Sequence, residues 1–153
     1  AQSLNNLAEL YMKQGKYAEA EPLFLRSLAI HEQQLGPTHP NTANSLSNLA
    51  ALYEAQGKYA EAEPLFQRTH TIRELVLGSE HPATAQSVWW LAAISQRLHH
   101  YQEAEQLCQN ALLIYTRILG QEHPTTHAIR QQYVALLQTM GLNARVKKLE
   151  DGL

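Results

Sequence analysis

His39, His81 and His123 stand 42 residues apart, each followed directly by a proline. They are the residues of this chain whose type and spacing first invite a chemical reading. An imidazole holds a metal ion or moves a proton, but zinc needs three or four ligands converging on one point. Three histidines one period apart sit on three successive loops, too far apart to converge. At the mouth of a helix, before proline, an imidazole is better explained as a cap that accepts a backbone N–H. His99 and His100 are neighbours in sequence, so their rings point in different directions. The remaining candidates for chemistry fare no better. Cys108 stands where Phe24 and Phe66 stand in the repeat, the place of a packing residue and not of a reactive thiol. Glu19, Glu21, Glu61 and Glu63 recur near helix starts, where negative charge is favoured by the dipole. There is no nucleophile–base pairing, phosphate loop or GxSxG elbow. The expectation is therefore a non-catalytic chain with no metal and no cofactor.

Composition narrows the partners. Twelve basic residues face 14 acidic ones, for a formal charge of −2. That balance offers no electrostatic footprint for nucleic acid or an anionic membrane surface, and no run is apolar enough to span a bilayer. A single cysteine excludes an internal disulfide and fits a reducing compartment, so the expected location is cytoplasmic. What stands out in composition is a pair, Trp89-Trp90, among otherwise polar positions.

The elements that must position these residues repeat with the histidines. Leu-Gly-x-x-His-Pro recurs at 35–40, 77–82 and 119–124, and LNNLAELYMKQGKYAEAEPLF at 4–24 returns as LSNLAALYEAQGKYAEAEPLF at 46–66. A worn third copy reads VWWLAAISQRLHHYQEAEQLC at 88–108, and a fourth keeps Tyr133, Leu136 and Gly141 in register. Within a copy, Leu4, Leu7, Ala8 and Tyr11 share one helical face, and Tyr17, Ala20, Phe24 and Leu28 form a second stripe. Gly15, Gly36, Gly57, Gly78, Gly120 and Gly141 fall where a helix should stop, while Pro40, Pro82 and Pro124 suit a first turn. The pattern predicts helices near 2–14, 18–35, 40–56, 60–77, 82–98, 101–119, 124–140 and 143–150. Tyr11, Phe24, Tyr53, Phe66, Leu91, Ala104 and Cys108 are the expected core.

Leu4-x2-Leu7-Ala8-x2-Tyr11 followed by Ala20-x3-Phe24 resembles the tetratricopeptide repeat (TPR) signature, with leucine for the usual tryptophan and alanine for glycine. The period of 42 exceeds that family's 34. LNNLA, GKYAEAEPLF and LGPTHP together are similar to the long-helix repeats of kinesin light chains and their bacterial relatives. The resemblance runs over roughly residues 1–141 and weakens in the third copy, where His99 replaces the turn glycine. It implies an all-α fold, a right-handed TPR superhelical solenoid of stacked antiparallel hairpins. The whole of 1–153 then reads as one array with repeats at about 1–39, 40–81, 82–123 and 124–153, the last partial, and as a piece of a longer protein.

In such an array the first helices line a concave face. Helical phase assigns that face Asn5, Asn6, Asn48, Gln86, Trp89, Trp90, Arg97 and Gln132. Amides both donate and accept, which suits the backbone of an extended peptide, and tryptophan is a common interface anchor. In the kinesin light chain family, the resemblance implies that the asparagine at the place of Asn6 and Asn48 serves peptide binding. The expected function is a protein-interaction module that holds a partner's peptide segment in its groove. The second reading is a structural array that self-associates through its ends or pairs with other domains of its own chain.

Overall fold

The computed structural model describes residues 1–150, the side chain of Glu150 apart. Among them are eight helices: α1 Gln2–Lys13, α2 Tyr17–Leu35, α3 Pro40–Ala55, α4 Tyr59–Leu77, α5 Pro82–Arg97, α6 Tyr101–Leu119, α7 Pro124–Thr139 and α8 Asn143–Glu150. No strand occurs among the described residues. Each observed boundary lies within about one residue of the pattern-based expectation, because proline and glycine punctuate every copy. Pro22 and Pro64 lie inside α2 and α4. Each removes one backbone donor, but both prolines are exposed, as are Ala18 and Ala60 four residues earlier. Both positions thus lie on the solvent side of their helices and in the first turns, where a lost bond costs least.

Two kinds of turn join the helices. After each long second helix the chain stops at Gly36, Gly78 or Gly120, with φ of 95°, 87° and 89° and ψ of 163–164°. A side chain is strongly disfavoured in that region. Within a hairpin the turn residue has φ of 73° at Gly15, 74° at Gly57 and 73° at Gly141, and His99 takes the same place at φ 63°. This is the left-handed helical region, which asparagine and histidine also visit. The two kinds should respond differently to substitution. Gly57→Asn is expected to cost less than about 1 kcal/mol, and Gly36→Ala about 1–3 kcal/mol. Open space surrounds both glycines, so backbone strain alone sets the difference. Urea unfolding of the two variants checks it, and equal losses would contradict it.

The helices fall into two compact units, Ala1–Gly78 and Ser79–Leu153. In the first, Ala8, Ala20, Phe24, Leu28, Ala43, Leu46, Leu49, Leu52 and Ile72 form one buried cluster. In the second, Ala92, Ala104, Cys108, Tyr133, Leu136, Leu137 and Val146 form one cluster, and Ala85, Val88, Ala111, Ile114, Tyr115 and Ile129 another. Ala8 and Ala20, like Ala50 and Ala62 and like Ala92 and Ala104, are fully buried. A methyl at each of these places lets paired helices approach closely.

Five of the seven expected core residues, Phe24, Phe66, Leu91, Ala104 and Cys108, are buried. Tyr11 and Tyr53 are only half-buried. Their ring bodies pack on the first cluster, while the Tyr53 hydroxyl donates to Glu21 Oε1 at 3.1 Å. Lys16 and Lys58 lie over the Tyr11 and Tyr53 rings, at 5.8 and 5.4 Å. A phenol with a polar partner at its tip stops at the boundary with water. Leu7 departs further, at 41% exposure against 2% for its repeat counterpart Leu49, and Leu10 stands at 51% against 0% for Leu52. Leu49 and Leu52 face the preceding hairpin of their unit; among the described residues no helix precedes α1 to cover Leu7 and Leu10.

Candidate functional site

The histidine-proline elements act locally. The side chains of His39, His81 and His123 accept N–H bonds from Asn41, Ala83 and Thr125 at Nδ1, over 3.1, 3.1 and 3.2 Å. Each caps the helix that its proline begins. The caps fix the starts of α3, α5 and α7, and most of the residues expected to face a partner lie along those helices.

In the first unit α1 and α3 run side by side, and this decides where the asparagines go. Asn5 is buried at 3% exposure. Its Nδ2 donates to Ser45 Oγ at 3.3 Å, and Ser45 in turn pairs with His31 Nδ1 at 2.8 Å. The expectation of a groove-facing Asn5 is therefore corrected: it sits in the seam between first helices. Ser47, one period later, is buried likewise and donates to the Asn44 carbonyl at 2.9 Å. Asn6 is exposed and accepts from Gln2 Nε2 at 3.0 Å. Asn48 is half-buried, and its Nδ2 donates to Glu9 Oε1 on α1 at 3.1 Å.

In the second unit α5 and α7 repeat the arrangement with larger side chains. Trp89 occupies the place of Asn5 and Ser47. Its ring is half-buried against the cluster around Val88 and Ile129, and its indole N–H donates to Gln132 Oε1. Trp89 and Gln132 are thus brought together, as a bridge across the seam. Trp90 is half-buried at the place of Asn6 and Asn48, while Gln86 and Arg97 are exposed. A hollow of about 340 Å3 on α7 is lined by His127, Arg130, Gln131, Val134, Ala135 and Gln138. His127, Arg130 and Val134 were not among the expected site residues. Their three- and four-residue spacing along one face was the available signal.

Burial shifts the proton affinity of two groups whose types could support chemistry. Burial first, and the Glu105 carboxylate second, push the Cys108 thiol up to about 12, so it remains protonated and inert as a nucleophile. Burial also lowers the His70 imidazole below its ordinary value, with Glu74 opposing. Glu105 is buried, within reach of the Tyr133 hydroxyl at 3.4 Å, Gln109 at 3.2 Å and the Arg145 guanidinium. That network ties α8 to α6 and α7.

One tetratricopeptide repeat profile matches residues 1–74 and 47–88, and a second profile of that name matches 91–125. The chain belongs to the tetratricopeptide repeat family. Its repeats are of the kinesin light chain type. A protein from Podosopora anserina, described as a kinesin light chain with nearly identical TPR-like repeats, is 30% identical, with a TM-score of 0.89 over 99% of this chain and 72% of that one. A single-site variant of it matches at 28% identity and the same TM-score, over 99% and 71%. BtubC from P. vanneervenii shares the fold at 22% identity and a TM-score of 0.79, over 99% of this chain and 63% of that one. No curated protein matches. The fold class is thus all-α, built of stacked antiparallel TPR hairpins. TPR arrays generally mediate protein interactions, and no helix among the described residues is long and apolar enough to cross a membrane.

Proposed function

We propose that the chain is a non-catalytic adaptor that holds a peptide segment of a partner protein against the first helices of its hairpins. The observation that carries this reading is the Trp90 ring, half-buried on α5 where the first two repeats carry asparagine. The repeat fold needs no indole there, as Asn6 and Asn48 show, and an indole with part of its surface in water suits an interface anchor. Gln86 on the same helix adds donors and an acceptor for an extended backbone. Apart from Arg97 on α5 and Arg130 on α7, these two helices carry no charged Asp, Glu, Lys or Arg side chain.

A peptide array of varied sequence, read against this chain, tests the proposal. Selected peptides are expected to bind Trp90→Ala about tenfold more weakly, on the order of 1.4 kcal/mol. Asn48→Ala in the first unit should weaken binding less, since its amide already serves Glu9. Unchanged affinity in a Trp90→Ala protein of normal helicity would remove the anchor and the reading with it.

The exposed Leu7 and Leu10 favour a second reading, in which a further copy of the chain covers them. Light scattering decides: a dimer that Leu10→Glu dissociates would support self-association, and a monomer at high concentration would exclude it.

A further inference from the structure

His31 is buried, at 7% exposure. Its ring lies where α1, α2 and α3 meet, with Nδ1 2.8 Å from Ser45 Oγ. Ser45 is itself fully buried and takes the Asn5 amide N–H at 3.3 Å. A hydroxyl accepting from Asn5 has its proton to give, which makes the neutral imidazole the natural acceptor. At the near end of α3, His39 also works in its neutral form, accepting the Asn41 N–H at Nδ1. A proton on that nitrogen would abolish the cap and place a cation at the positive end of the α3 dipole.

Among the described residues no carboxylate is paired with either ring. Glu32, next to His31 in sequence, is held by Arg68 at 2.7 Å. Arg73 on α4 brings a cation to this side of the unit, reaching Asn44 on α3 at 3.4 Å. The second unit lacks the device. Tyr115 stands at the place of His31 and Ile129 at the place of Ser45, both buried, although His123 still caps α7.

We propose that the α2–α3 joint of the first unit is a proton-sensitive coupling, in which uptake of a proton by His31 loosens α3 from α1 and α2. Burial, the largest cause, lowers the His31 imidazole below its ordinary value of 6.5. The unfolded or opened joint therefore binds the proton more tightly than the closed one. The closed form gains stability as pH rises, and loses it as pH falls below about 6.5. The coupling operates whether or not the first helices hold a peptide.

Amide hydrogen exchange of the whole chain at pH 7.5 and pH 5.5, corrected for the chemical exchange rate, reads the joint directly. Protection in α2 and α3 is expected to fall about fivefold or more at the lower pH, with a smaller change in α6 and α7. In His31→Gln, which keeps hydrogen bonding without a titrating ring, the difference between the two pH values should largely vanish. Retention of the full pH effect in His31→Gln would overturn the proposal, as would an equal loss in α6 and α7. Should His31→Gln fail to fold, the NMR titration of His31 in the unaltered chain decides instead. A midpoint below 6.5 supports the coupling, and a midpoint at or above 6.5 overturns it.

Discussion

Phe24→Ala is expected to cost about 3–5 kcal/mol of unfolding free energy, the range for emptying a buried aromatic site. The ring is fully buried in the first unit, in one cluster with Ala8, Ala20, Leu46 and Leu49. Two of those neighbours are alanines, whose methyls cannot extend into the space a missing ring leaves. The cavity should therefore persist, which places the loss toward the upper end of the range. Phe66, at 1% exposure, should behave alike. Urea unfolding followed by circular dichroism measures both. A loss below about 1 kcal/mol would mean that the aromatic ring is not what holds the hairpin together.

Cys108→Phe should also destabilise, by about 1–3 kcal/mol, although it restores the residue of the first two repeats. The reason lies one helix further on. In the first unit Phe24 shares its cluster with Leu49. In the second unit the residues 84 positions later, Cys108 and Tyr133, share theirs. A small residue has replaced a large one on α6, and a large residue has replaced a smaller one on α7. Tyr133 also spends its hydroxyl on Gln109, at 2.6 Å, and Glu105, so it is fixed in place. A phenylalanine at 108 would then meet a filled space. Tyr133→Leu alone should be costly as well, because it opens that space and removes a partner of the buried Glu105. Combined, Cys108→Phe and Tyr133→Leu should cost less than the sum of the two, with a favourable coupling of about 0.5–3 kcal/mol. Strict additivity would show that the two side chains do not compete for one volume.

The positions that a partner would touch were less legible than these packing positions. Helical phase placed Asn5, Asn6, Asn48, Trp89, Trp90 and Gln132 on one expected face. The first column of that set, Asn5 and Trp89, faces the neighbouring first helix instead: Asn5 bonds Ser45 on α3 and Trp89 bonds Gln132 on α7. Phase gives the direction of a side chain about its own helix axis. It carries no information on how far round that axis the next first helix sits.

The local architecture was fixed by the chain itself. Proline at the start of α3, α5 and α7, glycine after every helix from α1 to α7 except α5, and alanine at each close approach act within a few residues, through φ restriction, absent Cβ atoms and small volume. The 42-residue period then made every signal audible three times over, so helix order and repeat type follow from the sequence alone. Tertiary structure decided what depends on neighbours far along the chain. It decided that Tyr53 stops at the surface to bond Glu21, that Leu7 is exposed where Leu49 is buried, and that Cys108 is matched by Tyr133. It also gathered Asn5, His31 and Ser45, from three helices, into one buried group. Each of these outcomes turns on which side chains share a volume or a hydrogen bond. That is a property of pairs of helices, and no single helix carries a record of it.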